Sequence, residues 1–203
     1  MIINIRGTNG SGKTTLVRQL IGPEAQPVDL LWYKSPTRRY PRRQKSVEGW
    51  GQPGGFLAVG KYSVGCGGMD TVPTFDLQQR AVVSAVNLTP GTPKHVVCEG
   101  VLASTTAGSW LDFFKKMNGQ RGPNSARFQV LVVYLDTPLE LCLDRIRQRQ
   151  VSSGKGEREI KAELVEHKVQ AIAATRPKFE AAGIATVMLR HEQAKADLLN
   201  LIY

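Results

Sequence analysis

Ile2-Ile3-Asn4-Ile5-Arg6-Gly7-Thr8-Asn9-Gly10-Ser11-Gly12-Lys13-Thr14 opens the chain, and its reading decides the fold. The apolar run 2–5 has the make-up of a short buried strand. Residues 7–14 keep the spacing G-x-x-x-x-G-K-[ST] of a P-loop, in which glycines permit a backbone curl whose N–H groups converge on anionic oxygens. In that pattern Lys13 reaches the β- and γ-phosphates of a nucleotide, and the Thr14 hydroxyl ligates Mg²⁺. Residues 15–21 then read as a helix closed by Gly22-Pro23. Strand, loop and helix N-terminus follow in order, and the helix end adds its own partial positive charge. Gly7, Thr8, Asn9, Gly10, Ser11, Gly12, Lys13, Thr14 and Thr15 are therefore expected to hold a nucleoside triphosphate with Mg²⁺.

At 203 residues the chain fits one domain, 1–203, long enough to bury a core. No stretch approaches the roughly 20 apolar residues of a membrane span, and the first residues read as structural and not as a leader. The expected location is the cytoplasm, with no membrane partner. Cys66, Cys98 and Cys142 are far apart and lack C-x-x-C spacing, which argues against both a disulfide framework and a zinc site. Twenty-seven basic residues against 17 acidic give a net charge of +10. That excess points toward a polyanionic partner, with general solubility as the plainer explanation.

Residues 28–33 read as a second, mostly buried strand. An irregular, Gly- and Pro-rich region, 34–74, follows. Its opening packs six cations and Tyr40 into the twelve residues 34–45, with Arg38, Arg39, Arg42 and Arg43 at its centre. Arginines with an interleaved tyrosine suit backbone phosphates and a stacked base; a solvated basic loop is the equal alternative. Residues 54–62 suggest a short extended piece, and the second glycine-rich turn at 65–70 is expected to place Lys61, Tyr62 and Asp70 on a loop and not in a core. Asp70 is expected either to orient or deprotonate an acceptor hydroxyl or to cap the helix near 73–86, where Thr71 or Thr74 would serve as well. A short strand, 95–98, ends at Glu99, the place for a carboxylate near Mg²⁺ and its waters, or for an ordinary loop carboxylate.

The strongest buried-strand signal is 128–135, running through Asp136-Thr137-Pro138 into a helix at 139–150. Arg145 and Arg149 share one face of that helix at i, i+4 while Arg147 points elsewhere, and Ser152-Ser153-Gly154 follow. This reads as a short lid, 145–158, whose arginines close over transferring phosphates, or else as cations complementing a helix C-terminus. A helical stretch at 157–182, interruptible at Pro177, a strand at 184–189 and a helix at 193–202 complete the chain. The expected fold is α/β: five parallel strands with helices on both faces.

With the P-loop, Glu99, Leu135-Asp136-Thr137-Pro138 and the arginine-bearing lid in view, the chain resembles the nucleoside-monophosphate-kinase group, its thymidylate-kinase-like branch in particular. Gly60-Lys61-Tyr62 followed by Cys66-Gly67-Gly68-Met69-Asp70 is similar to the bacteriophage P-loop kinases that act on 5-hydroxymethyl-deoxyuridine in DNA. That resemblance implies ATP-dependent phosphorylation of the hydroxymethyl group of 5-hydroxymethyluracil within the polymer, in an infected bacterial host, toward hypermodified DNA resistant to host nucleases. One departure from ordinary thymidylate kinases is that Glu99-Gly100 stands where they carry an Asp-Arg pair. The catalytic set implied is Lys13, Asp70, Glu99, Arg145 and Arg149, with Thr14 and Glu99 toward Mg²⁺. Arg38, Arg39, Arg42, Arg43, Lys61 and Tyr62 lie on the acceptor or DNA side. A kinase of free deoxynucleoside monophosphates and a nucleotide-dependent DNA-binding protein are the alternatives.

Overall fold

In the computed structural model, which describes residues 1–34, 44–52, 54–63, 67–88, 95–120, 128–154 and 159–203, the opening apolar run becomes strand β1 (Ile2–Arg6), buried at every position. Successive strand side chains face opposite ways, so Ile2 enters one apolar layer while Ile3 and Ile5 enter the other. β1 is an interior strand of a seven-stranded sheet of order β2 (Gln26–Lys34), β3 (Gln44–Gly51), β4 (Phe56–Val59), β5 (His95–Glu99), β1, β6 (Val130–Asp136), β7 (Ala185–Arg190). From β4 to β7 neighbouring strands pair in parallel, whereas β2 with β3 and β3 with β4 are antiparallel.

The sheet thus has seven strands, not five, and the difference lies in the region read as irregular. Gln44-Lys45-Ser46-Val47-Glu48-Gly49-Trp50-Gly51 carries two glycines and little apolar alternation, so its strand character comes from pairing partners on both sides and not from its own propensity. β2 also differs from expectation: it is an edge strand in which only Leu30 is buried, with a register shift between Asp29 and Leu31.

Helices cover both faces. Leu16, Val17, Leu20 and Ile21 of α1 (Lys13–Ile21) pack with Ala194 and Leu198 of α8 (Ala194–Ile202) on the Ile3/Ile5 side. On the other side lie α2 (Phe75–Val86), α4 (Gly108–Met117) and α7 (Arg176–Ala181), the last two joined by an aromatic chain from Trp110 and Phe113 through Phe114 to Phe179. Thr74 caps α2 by accepting the Leu77 N–H, which leaves Asp70 free for another task. The stretch read as one helix at 157–182 is two, α6 (Ala162–Ala173) and α7, with the break at 174–175 and Pro177 in the first turn of the second. A short helix that the pattern did not reveal, α3 (Val101–Thr105), follows β5 directly. Among the described residues no helix is long and apolar enough to cross a membrane.

Arg6, the last residue of β1, is fully buried. Its guanidinium donates from Nε to Asn4 Oδ1 at 2.7 Å and from Nη1 to the Ser104 carbonyl at 3.0 Å and Thr175 Oγ1 at 3.2 Å. It also lies 4.4 Å from the centre of the Phe179 ring. Burial pushes its pKa down to about 10, so it remains charged at neutral pH. This side chain binds the base of the glycine-rich loop to α3 and to the α6–α7 junction.

Candidate active site

The loop 7–14 leaves the sheet at the carboxyl end of β1, next to that of β5, where open α/β sheets hold their ligands. Lys13, only 6% exposed, turns its ammonium back into the loop and donates to the carbonyls of Gly7 at 2.8 Å and Thr8 at 2.9 Å. Burial lowers its pKa, while the nearby carboxylates Glu99 and Asp70 pull it back up. Thr8 Oγ1, Asn9 Oδ1 and Ser11 Oγ are buried without a hydrogen-bond partner, an open set of polar atoms lining the curl. Gly10 has φ 78°, and a Cβ there would collide with the Cys142 carbonyl, so α5 (Leu139–Ser152) can press directly on the loop. Thr137 Oγ1 donates to the Ser11 carbonyl at 2.9 Å and ties the loop to the end of β6.

Glu99, 2% exposed, ends β5 facing this loop. Its Oε1 accepts the Thr14 hydroxyl at 2.9 Å and the Tyr62 hydroxyl at 3.5 Å. Burial pushes its pKa up, opposed by Lys13 and by the Thr14 hydrogen bond. Gly68, at φ 87°, passes so close that a Cβ would run into the Glu99 carboxylate. The following 3-10 turn, Met69–Thr71, carries Asp70, whose oxygens accept the backbone N–H of Val101 at 2.9 Å and of Leu102 at 3.3 Å. Asp70 therefore caps α3 across space, not the helix that follows it in sequence. Gln78 of α2 anchors the turn by donating to the carbonyls of Met69 and Val72.

One cleft of about 760 Å³ is lined by residues 9–15, Asp70, Glu99, Arg145 and Arg149. Arg145 spends one N–H on the Gly10 carbonyl at 3.2 Å, so it braces the loop as well as facing the cleft. Arg147 instead pairs with Asp144 on the exposed face of α5. The segment 145–152 is continuous helix; the rest of the expected lid, 155–158, lies outside the described residues, as do Arg38, Arg39, Arg42, Arg43 and Cys66.

Lys61 and Tyr62, read together as loop residues, part company in the structure. Lys61 is exposed and lines a separate groove beside the cleft. Tyr62 is 5% exposed, its ring in the apolar layer with Ile3 and Ile5 and its hydroxyl on Glu99, so it lies in the core and not on an open loop. His191 and Glu192 line the cleft from just beyond β7, an involvement that local pattern did not show. The rule that ligands gather at the carboxyl ends of parallel strands was the signal available for them.

No protein-family model matches the chain, and no solved structure matches it. Several curated phage proteins do. One named 5-hmdU DNA kinase, from Pseudomonas phage PaMx11, is 34% identical over 188 residues, covering 92% of this chain and 88% of its own. A second of that name, from Pseudomonas phage M6, is 30% identical over 214 residues, covering 98% and 96%. A third, from Bacillus phage SP10, is 28% identical over 187 residues, which make up 92% of this chain and 26% of that longer protein. Because the first two are matched over nearly their whole length, the chain belongs to the phage 5-hmdU DNA kinase family.

Proposed function

We propose that this chain transfers the γ-phosphate of ATP to the hydroxymethyl group of 5-hydroxymethyluracil in DNA, a step toward hypermodified thymidine. Beside the family membership, the observation that carries this reading is the single cleft shared by the glycine-rich loop, Glu99 and Asp70. The unpartnered polar atoms of Thr8, Asn9 and Ser11 and the inward Lys13 ammonium fit a nucleotide's phosphates. Thr14 Oγ1 and Glu99 Oε1, in contact with each other, are hard oxygen donors of the kind Mg²⁺ takes in ones and twos when substrate phosphates complete its shell. When bound, Mg²⁺ neutralises charge on the β- and γ-phosphates.

In the reaction, the acceptor oxygen forms a bond to the γ-phosphorus as the bond from that phosphorus to the β,γ-bridging oxygen breaks, and ADP leaves. The hydroxyl proton passes to a carboxylate. Asp70, exposed at the mouth of the cleft and fixed by two backbone N–H groups, is suited to take it. Glu99, held by Thr14 and Tyr62, faces the nucleotide side. Lys13, Arg145 and Arg149 stabilise charge on the phosphoryl group in flight. The basic run at 34–45 supplies sequence-independent grip on the DNA backbone. A base must leave its stack to reach such a cleft, so the target is a flipped or unpaired nucleotide.

The test is transfer of labelled γ-phosphate to DNA carrying 5-hydroxymethyl-deoxyuridine, to plain thymine DNA and to free 5-hydroxymethyl-deoxyuridine monophosphate. Asp70→Asn retains an oxygen to cap α3 while losing the charge, and is expected to lower kcat roughly 10²–10⁴-fold with the fold intact. Label confined to the free monophosphate would refute the polymer reading.

A further inference from the structure

α3 is only five residues long, yet both of its ends are held from the site. At its start Asp70 accepts the N–H groups of Val101 and Leu102. Toward its end Ser104, fully buried, meets the base of the glycine-rich loop: its Oγ accepts the Gly7 N–H at 3.4 Å, and its carbonyl accepts Arg6 Nη1 at 3.0 Å. One carbonyl joins the two ends. Ser104 Oγ donates back to the Gly100 carbonyl at 2.6 Å, a short bond that fixes the peptide entering the helix.

Gly100 is also where that peptide meets Asp70. A Cβ built on it would stand 2.9 Å from Asp70 Oδ1, closer than side chains pack. The contact is reciprocal, because Gly68, two residues before Asp70, leaves no room for a Cβ against Glu99, the residue before Gly100. The turn at 68–70 and the segment 99–102 therefore lie face to face without slack, and a shift of one is passed to the other. Where the Val101 and Leu102 N–H groups stand decides where the Asp70 carboxylate stands.

We propose that Ser104 is a positioning residue for phosphoryl transfer: its hydroxyl carries the placement of the loop base, through Gly100 and the start of α3, to the carboxylate of Asp70. The inference rests on the proton-accepting role given to Asp70 above. The gain is alignment. The group that takes the acceptor's proton is set in register with the loop that holds the donor phosphates, where a misplacement of about 1 Å costs on the order of 10²-fold in rate.

The test is steady-state transfer by the full chain, to a modified oligonucleotide and to free 5-hydroxymethyl-deoxyuridine monophosphate, with folding checked by thermal unfolding. Ser104→Ala deletes the relay but leaves the Ser104 N–H on the Gly100 carbonyl at 2.9 Å, so α3 keeps its turn. Gly100→Ala acts from the other side: at φ 174° its backbone suits any residue, and the added methyl's nearest neighbours are atoms of Asp70. Each variant is expected to lower kcat about tenfold with KM for ATP within about twofold. In an Asp70→Asn background the further loss should fall below about twofold, because the group being positioned is gone. Exchange of the Val101 and Leu102 amide hydrogens, which needs no turnover, should quicken several-fold in Ser104→Ala. Unchanged exchange, wild-type kcat in a folded Ser104→Ala protein, or the full tenfold loss repeated on Asp70→Asn would overturn the inference. Label confined to the free monophosphate, with the same pattern among the variants, would sink the polymer reading and keep Ser104 in its role. An Asp70→Asn protein as fast as wild type would remove both Asp70 and Ser104 from the reaction.

Discussion

Tyr62 shows how one side chain can serve a site without facing its substrate. Its hydroxyl donates to the same Glu99 oxygen that Thr14 holds, from a ring buried in the apolar layer. Tyr62→Phe preserves the packing and removes that hydrogen bond from a buried acceptor, at a cost of about 1–3 kcal/mol. The expected result is a kcat lower by roughly ten- to a hundredfold with KM for DNA unchanged, read by steady-state transfer; a rise in KM alone would instead give Tyr62 an acceptor role. Arg6 serves at one further remove. Arg6→Ala leaves Asn4 Oδ1 and the Ser104 carbonyl without their donor and opens a void over Phe179. The expected loss is about 2–4 kcal/mol of stability, measured as a lower denaturant midpoint with unchanged slope. A midpoint equal to wild type would show that the Arg6 network contributes nothing net.

Elements differ in how far their own residues specify them. β1, the loop and α1 were legible because everything the motif needs is contiguous, at fixed spacing, from Ile2 to Ile21. β3 was not, because Gly49, Gly51 and its polar positions carry little strand signal and the strand exists through β2 and β4. The Asp70 cap on α3 joins residues 31 apart, and the Tyr62 contact with Glu99 joins residues 37 apart. No local periodicity encodes such pairs, so sequence named Asp70, Tyr62 and Glu99 without showing how they meet. α7 and β7 are joined at the surface by Glu180, whose Oε1 accepts from Thr186 Oγ1 at 2.6 Å and Arg176 Nε at 2.7 Å. Those two hydrogen bonds, Thr186's first, hold its pKa below the usual glutamate value. A depressed carboxylate stabilises the fold above its unfolded-state pKa, and that contribution is lost as pH falls through the folded-state value. Glu180→Gln should therefore melt below wild type at neutral pH, with the gap closing on acidification. A gap that widened toward low pH would contradict this sign.

At the scale of the whole molecule, two apolar layers hold a sheet whose parallel strands deliver the loop, Glu99 and the end of β6 to one edge. The antiparallel β2–β3–β4 portion extends that sheet. The net charge of +10 spans the chain and agrees with an acceptor that is itself a polyanion. It is the acceptor that distinguishes this reading from phosphorylation of a free nucleotide, which the same loop chemistry would support. The most direct measurement is made on modified DNA incubated with the protein, ATP and Mg²⁺, then digested to nucleosides and analysed by mass spectrometry. The expected product is a nucleoside phosphorylated on the base-borne hydroxymethyl carbon's oxygen, present with wild type and absent with Lys13→Ala. Recovery of only unmodified 5-hydroxymethyl-deoxyuridine from the DNA, under conditions in which wild type phosphorylates the free monophosphate, would contradict the account.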